Sequence, residues 1–549
     1  MVHKEVSGNA EIVRPATDGT KQSNLTVLDI PDKEHKLKIL LVYPQYPDTF
    51  WSFKHALKFI SKKAPFPPLG LLTVAAMLPG EWEKKLVDMN VIALSDEDIT
   101  WADYVFISAM VVQRNSVKEI ITRCKKLGIK TVAGGPLFTT GHEEFDGVDH
   151  FVLGEAEVTL SPFLEDLDKG CAKPIYASNE RPRLNETPIP LWSLVNMKYY
   201  SAMNVQYSRG CPYDCEFCDI VLLNGHEPRT KDTDQIVNEL EAIYRRGWRG
   251  GVFIVDDNFI GNKKKLKAET LPAIIKWSKS RKHPFDLSTE ASINLADDEE
   301  LMLLMAEARF NQVFVGIETP NEESLVECNK QLNQDRDLVA SVKRIQNHGM
   351  EVQGGFIVGF DSDPASIFKS QINFIQKSGI VTAMVGLLNA PPGTQLHQRL
   401  KKENRLVKSF SGDNTDFSIN FVPKMNYETL INGYKHILTT IYSPKQYYER
   451  IRIFLKEYKP RKGNGMSRLR FHHIEGFIKS VWFLGIIDSG RKYYWRLFLS
   501  TLLKHPRAFP LSIVLSVFGF HFRKVAANFT IAPAIVPIED TPASGPSIK

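Results

Sequence analysis

Two long blocks in which short apolar runs alternate with helix-periodic stretches leave this chain few folds to choose from. In the first block the runs are Leu37–Tyr43, Lys85–Asp88, Tyr104–Ser108, Lys130–Ala133 and His150–Leu153. Helical stretches separate them, most clearly Val117 to Leu127, whose apolar residues recur at helical spacing. Strands joined through helices build a parallel sheet covered on both faces. Ligands of such sheets sit beyond the strands' carboxyl ends. Here those ends carry Tyr43-Pro-Gln-Tyr-Pro47, Asp88-Met-Asn90, Ser108-Ala-Met110, Gly134-Gly135-Pro136 and Gly154-Glu-Ala-Glu157. Small residues such as Gly134 and Gly135 let a large flat ligand approach the backbone.

The second block has strand candidates at Asn204–Tyr207, Gly251–Val255, Phe285–Thr289, Gln312–Gly316, Glu351–Val358 and Ala383–Leu388. Six βα repeats in a row predict a barrel or partial barrel with its active site at the strands' carboxyl ends. The expected layout is therefore α/β. A disordered lead-in covers 1–35, a Rossmann-like domain 36–170, a partial (β/α)6 barrel 189–422, a helical domain 427–530 and a flexible Pro/Ser tail 531–549. Three domains suit a chain of 549 residues, too long for one core. The lead-in is polar and lacks the apolar segment of a secretory signal, which is read as a cytoplasmic location.

Six cysteines in a chain this size make no disulfide framework. Three of them fall within eight residues, in Tyr207-Ser-Arg-Gly-Cys-Pro-Tyr-Asp-Cys-Glu-Phe-Cys218. That density indicates a metal site in a reducing compartment. Cys124, Cys171 and Cys328 are scattered and read as packing residues or spare thiols. A structural zinc takes four protein ligands in closed tetrahedral geometry. No fourth cysteine lies nearby, and no histidine falls between 151 and 225. A [4Fe–4S] cluster offers four irons to thiolates, so three cysteines leave one iron open to an exchangeable ligand. On the residues alone, a zinc completed by a distant side chain and three buried free thiols remain alternatives.

The C-x3-C-x-aromatic-C loop, with Phe217 at the aromatic position, resembles the signature of the radical S-adenosylmethionine (SAM) superfamily. The resemblance implies that Cys211, Cys215 and Cys218 hold a [4Fe–4S] cluster whose open iron is chelated by SAM. An electron, supplied by a donor such as ferredoxin or flavodoxin, then cleaves SAM to methionine and a 5′-deoxyadenosyl radical. Other strand ends are similar to the family's. Asp256 and Asp257 fall where it places acceptors for the SAM ammonium. Glu290 resembles the carboxylate that binds the SAM ribose, and Glu318 in Gly316-Ile-Glu-Thr-Pro320 fits a polar contact there. Gly354-Gly355-Phe-Ile-Val-Gly359 resembles the stretch whose backbone packs on adenine. Ala390-Pro-Pro-Gly-Thr-Gln-Leu396 resembles the stretch after the sixth strand.

The first domain resembles a cobalamin-binding domain in its opening Leu-Leu-Val-Tyr-Pro, Phe66-Pro-Pro-Leu-Gly-Leu-Leu72, Val87-Asp-Met-Asn90, Gly134-Gly-Pro136 and Val152-Leu-Gly-Glu155. The Asp-x-His-x-x-Gly motif of cobalamin mutases is absent after the first strand, which implies cobalt without a protein His ligand. The pair of domains is that of cobalamin-dependent radical SAM methyltransferases, the group that includes hopanoid C-2 methylases and the C-methyltransferases of bacteriochlorophyll side chains. An unactivated carbon is no nucleophile, so polar methyl transfer cannot reach it. The group's chemistry abstracts a hydrogen and delivers a methyl from methylcobalamin, while the protein binds, orients and excludes water. No Ser/His/Asp constellation is present, and the resemblance identifies no catalytic side chain.

Residues 441–530 contain 17 Lys/Arg and 4 Asp/Glu, within a chain of net charge +6. Two apolar runs, Ile474–Ile487 and Phe509–Phe520, lie among these cations, and both are shorter than the roughly 20 residues a membrane span needs. Apolar faces with basic flanks suit a helix on an anionic membrane surface or a lid over a greasy substrate; core helices with a solvated basic face are the alternative. No nucleic-acid recognition motif accompanies the charge. The expected activity is methylation of a hydrophobic polycyclic molecule, a hopanoid-type lipid or a bacteriochlorophyll-type tetrapyrrole. The rivals are a radical cyclase or oxidase acting on a tetrapyrrole or lipid, and a non-catalytic cobalamin-binding protein.

Overall fold

The computed structural model of the chain describes residues 36–407, 411–413, 415–459 and 471–529. The lead-in over 1–35 and the tail over 531–549 lie outside the described residues.

The first sheet contains β1 (Lys38–Tyr43), β2 (Glu83–Asp88), β3 (Tyr104–Ser108), β4 (Lys130–Gly134), β5 (His150–Leu153) and β6 (Ile175–Ala177), ordered β2-β1-β3-β4-β5-β6. Every pairing is parallel. Ile39, Leu40, Leu41 and Val42 of β1 are wholly buried, as an uninterrupted apolar run must be when helices cover both faces of a sheet. Helix Arg114–Leu127 buries Val117, Ile120, Ile121 and Cys124, then ends at Gly128 in the left-handed region (φ 72°). The sheet extends past the expected boundary at 170. β6 pairs with β5, yet its Ile-Tyr-Ala buries only Tyr176, too little for an apolar run to announce it.

The second sheet contains β7 (Ala202–Val205), β10 (Gly251–Ile254), β11 (Asp286–Glu290), β12 (Phe310–Glu318), β13 (Glu351–Val358) and β14 (Ala383–Leu387). It runs β14-β13-β12-β11-β10-β7, parallel throughout, with β7 and β14 as open edges. This is the expected partial (β/α)6 barrel. A small antiparallel ribbon, β8 (Ser208–Arg209) against β9 (Arg229–Thr230), brackets the cysteine loop.

The C-terminal helices share the barrel's core. Tyr434 and Tyr442 reach from helix Tyr427–Ile441 and its end to donate to the carbonyls of Val385 (3.0 Å) and Ala383 (2.6 Å) on β14. Arg450 is wholly buried and donates to the carbonyls of Ile441 and Val381 and to Gln376, which compensates much of its desolvation. Helix Phe509–Phe529 extends beyond the apolar run Phe509–Phe520. By length and composition, Pro506–Ala527 is long and apolar enough to cross a membrane, which corrects the sequence estimate. Its packing is that of a core helix: Leu515, Phe522 and Val525 are buried, and Tyr447 donates to the Leu515 carbonyl at 2.7 Å.

Candidate functional site

The cysteine loop leaves the carboxyl end of β7. Asp256, at the end of β10, holds its start: one carboxylate oxygen accepts from Tyr207 N (2.7 Å), the other from Ser208 N and Oγ (2.7 and 2.6 Å). Gly210 then turns at φ 98°, where a Cβ would strike the carbonyl of Glu227, so only glycine lets the chain swing into Cys211. Cys211 N donates to the Gly225 carbonyl (3.2 Å) and Cys218 N to the Cys215 carbonyl (3.0 Å).

Residues between the cysteines are held from the barrel's far side. Glu216 takes a two-pronged ion pair from Arg399 (2.6 and 3.0 Å) and accepts Leu396 N on its carbonyl, while its own N–H donates to the Cys328 carbonyl. Asp214 accepts from Asn329 and Gln395. Arg399 also pairs with Asp361 (3.0 Å), which Arg405 grips in turn. Burial alone would raise the Asp361 pKa, but Arg405 and Arg399 hold it down at about 2. None of these partners is visible in the C-x3-C-x2-C spacing.

All three thiols are half-buried and unbridged, and burial raises each above the usual thiol pKa. The ammonium of Lys330 opposes that shift at all three, favouring the thiolate that metal ligation needs. Among the described residues no three His, Cys, Asp or Glu side chains already stand at ligating distance. Three soft donors on one pinned loop beside a half-buried cation suit an iron–sulfur cluster, whose binding would draw them together. Cys328, read as a packing residue or spare thiol, lies against this loop in space, where its carbonyl accepts from Glu216 N; its thiol contacts the Leu325 carbonyl and the residue is 1% exposed, as a packing residue is.

Of the four carboxylates expected to face SAM, the structure brings Asp256, Asp257 and Glu290 together at the ends of β10 and β11. Both oxygens of Asp256 are engaged in holding the cysteine loop, and the residue is wholly buried. Asp257 accepts one bond from Asn224 (3.0 Å). The Glu290 side chain has no hydrogen-bonding partner among the described residues. Burial, then repulsion from Asp257 and Asp256, raises its pKa to about 8; burial raises Asp257 to about 6. A half-buried carboxyl group without a protein partner asks for a ligand donor or cation. Glu318 sits at a left-handed φ of 63° and pairs with Lys330 (2.7 Å), which folds the pair over Gly316.

The glycines of β13 have neighbours of their own. A Cβ on Gly355 would meet the Phe314 ring at 2.8 Å, one on Gly354 would meet Phe356 at 2.8 Å, and Gly359 (φ 106°) abuts Leu430. Phe314 pairs in register with Glu290, and Gly355 with Met384. Against this row stands a side chain the sequence analysis missed. Trp51, from the stretch after β1, donates its indole N–H towards Met384 Sδ (3.0 Å) and meets Phe314 edge-on at 5.5 Å. Only its aromatic character hinted at this, because the contact spans more than 300 positions.

The first sheet's carboxyl edge is tied to the cysteine loop. Arg209, two residues before Cys211, pairs with Glu155 (2.7 Å) and Glu157 (2.9 Å); Arg229 pairs with Glu155 (2.7 Å). All four side chains are at most 14% exposed, so the network is stiff and largely desolvated. Tyr200 donates to Asp88 (2.9 Å), a second tie between barrel and sheet. A Cβ on Gly134 would meet the Val152 carbonyl at 2.7 Å and one on Gly135 the Ser108 hydroxyl at 2.5 Å, so packing within the domain already requires glycine at both. Met110, beyond β3, presents a 55% exposed apolar side chain at the same edge, a surface suited to a flat ligand.

Comparison with known proteins agrees with this two-domain arrangement. Residues 60–164 match the B12 binding domain, 205–370 the radical SAM superfamily and 394–532 a domain of unknown function. An uncharacterized methyltransferase of Synechocystis is 39% identical over 490 residues, 88% of this chain and 91% of the relative. The hopanoid C-2 methylase of Rhodopseudomonas palustris is 32% identical, covering 85% of this chain and 90% of that protein. The bacteriochlorophyllide d C-12(1)-methyltransferase of Chlorobaculum tepidum is 24% identical over 75% of this chain and 88% of its own. In fold, the chain is similar to the cobalamin-dependent SAM radical enzyme OxsB, at TM-score 0.58 and 14% identity over 90% of this chain and 81% of that one.

Proposed function

The chain belongs to the cobalamin-dependent radical SAM methyltransferases, and from that premise we propose that it methylates an unactivated carbon of a hydrophobic polycyclic molecule. Membership brings a [4Fe–4S] cluster, SAM and cobalamin as cofactors. When bound, they supply the electron, the radical and the methyl group.

The chain's own residues have the remaining tasks. Cys211, Cys215 and Cys218 hold the cluster, with Lys330 offsetting the charge they gather. Asp257 and Glu290 take the hydrogen-bond donors and the cation of SAM; Asp256 acts behind them by fixing the loop. Glu318 adds a polar contact through its pair with Lys330. The backbone of Gly354–Gly359 would hold the adenine, and the strand-end loops with Gly134 and Gly135 would hold cobalamin. Trp51, Phe314 and Met384 give the substrate an aromatic, sulfur-lined wall that sheds water. The observation that supports the reading is the Arg209–Glu155/Glu157 network, which ties the carboxyl end of the first sheet to the cysteine loop.

A hopanoid-type lipid or a bacteriochlorophyll-type tetrapyrrole is the substrate class, supported by the named relatives and the apolar wall. Ferredoxin or flavodoxin donates the electron, and the enzyme works in the cytoplasm at the inner face of the membrane. The test is anaerobic reconstitution of the full chain with iron, sulfide and cobalamin, followed by SAM, reductant and each candidate substrate. A product heavier by one carbon and two hydrogens, with 5′-deoxyadenosine formed, is expected. Deoxyadenosine with a product of unchanged carbon count gives the site to a cyclase or oxidase. No deoxyadenosine under any condition overturns the reading.

A further inference from the structure

Among the described residues, one face of the C-terminal helices is left uncovered, and its chemistry is one-sided. Helix Phe471–Trp482 continues through the turn Phe483–Ile487. Its inner face carries Gly476 against Ile60, Ser480 against Tyr494, and buried Leu484. Its outer face carries Ile474, Ile478, Trp482 and Ile486, one every four residues, exposed at 48, 61, 55 and 51%. Helix Arg491–Lys504 adds Leu499 and Leu503, exposed at 54 and 79%. Phe477, Phe498 and Phe509 meet at 4.9–6.3 Å between centroids and join the faces of three helices. Single exposed aliphatics are ordinary; a contiguous set of this size marks a contact with another apolar phase.

Charge narrows the choice of that phase. Residues 471–529 hold eight Lys/Arg and two carboxylates, Glu475 and Asp488. Both carboxylates are paired, with Lys479 (2.6 Å) and Arg523 (2.9 Å). Arg491, Lys492, Arg496, Lys504 and Arg507 are exposed and have no carboxylate partner among the described residues. A second copy would bring the same cations against themselves in a two-fold contact.

We propose that this face docks on the surface of a bilayer containing anionic lipid, its aliphatic and indole side chains at the acyl–headgroup boundary and its cations on the phosphates. The proposal rests on the reading of a hydrophobic substrate and gives the domain of unknown function over 394–532 its task. Helix Phe509–Phe529 is anchored behind the face on Tyr447, and through Phe522 on Phe50, so the docked helices lie along the membrane rather than across it. The docked helix is also backed by the stretch that carries Trp51: Lys479 donates to the Lys58 carbonyl (3.0 Å) and Ser61 to Glu475 (2.6 Å). A lipid-dissolved substrate thus starts one layer of structure from the wall it must reach.

The test floats the full-length holoprotein with vesicles of phosphatidylcholine alone or mixed with phosphatidylglycerol. Binding to the anionic vesicles is expected, weakening with salt. Ile478→Glu with Trp482→Glu, and separately Arg491→Glu with Lys504→Glu, should each reduce partition at least about tenfold. Both pairs should leave 5′-deoxyadenosine formation in detergent unchanged. No flotation on either composition, or equal flotation of wild type and variants, overturns the proposal. Concentration-dependent self-association abolished by the same substitutions also overturns it, by giving the face to a second copy. Methyl transfer to hopanoid or bacteriochlorophyllide in detergent micelles tests the substrate reading without vesicles, so either idea can fail alone.

Discussion

The cysteine loop is held by charge and backbone hydrogen bonds at almost every residue, whereas the C-terminal helices are held by rings. Asp256, Arg399, Asn329 and Gln395 each fix one part of the loop, with donors and acceptors that have one good geometry. Phe50 instead stacks on Phe522 at 4.2 Å, Tyr494 meets Trp495 edge to face and Trp495 packs tilted against Phe498, contacts that tolerate sliding. The difference follows from what each region must do. A loop that presents three thiols to a metal needs ångström placement. A surface meant to meet a fluid partner needs only periodicity and composition, and it can leave Leu503 and Ile478 bare.

The largest effects are expected inside the loop. Cys215→Ala should abolish 5′-deoxyadenosine formation and strip the reconstituted protein of most of its iron, measured by iron content and the cluster's visible absorption. Cys328→Ala, against the same loop, should leave both unchanged; equal losses would make Cys328 a ligand and undo the packing role assigned to it. Next in size is Arg399→Ala. It leaves Glu216 and Asp361 partly buried with weakened partners, a loss of about 2 kcal/mol in stability, together with lower iron occupancy. Arg399→Lys should restore the charge but not the two-pronged grip, so iron occupancy should recover only in part. Full recovery with Lys would show that charge, not placement, is what the loop needs.

How much of this was legible in the sequence depended on the range of the interaction. The parallel sheets, the partial barrel and the thiol triplet were readable because strand periodicity and Cys spacing are local. Asp256 was assigned a ligand contact because Asp-Asp-Asn says nothing about which carboxylate turns inward to Ser208. Gly134, Gly135 and Gly355 suggested room for a ligand, but their missing Cβ atoms make room for Val152, Ser108 and Phe314, neighbours 18, 27 and 41 positions away. Trp51 and Cys328 reach the site only through the fold. The apolar run Phe509–Phe520 understated the Phe509–Phe529 helix, because sequence cannot show that Asp488 takes up Arg523 beyond the run's end.

Trp51→Ala probes the wall from the substrate's side. Losing one wall of a half-buried aromatic site should raise KM about tenfold with a smaller fall in kcat. Trp51→Phe should recover most of the loss. A collapse of kcat with KM unchanged would move Trp51 from substrate binding to positioning of the barrel through Phe314.

The smallest expected effect concerns protons. Glu290 and Asp257 have pKa values raised by burial to about 8 and about 6, against roughly 4 in an unfolded chain. Between about pH 4 and about pH 8 the folded protein therefore holds protons that the unfolded chain has released. Stability must then fall as pH rises through that window, because folding keeps the neutral form and ionisation there charges a poorly solvated site. In the cofactor-free protein, Tm should drop by a few degrees more between about pH 6 and about pH 8 than in Glu290→Gln, which has nothing to ionise. SAM affinity should move the other way, rising with pH as the carboxylates that meet its cation become charged, and rising less in the variant. Parallel Tm curves for the two proteins would place the Glu290 carboxyl in contact with solvent or a donor, and would remove it from the set of groups awaiting a ligand.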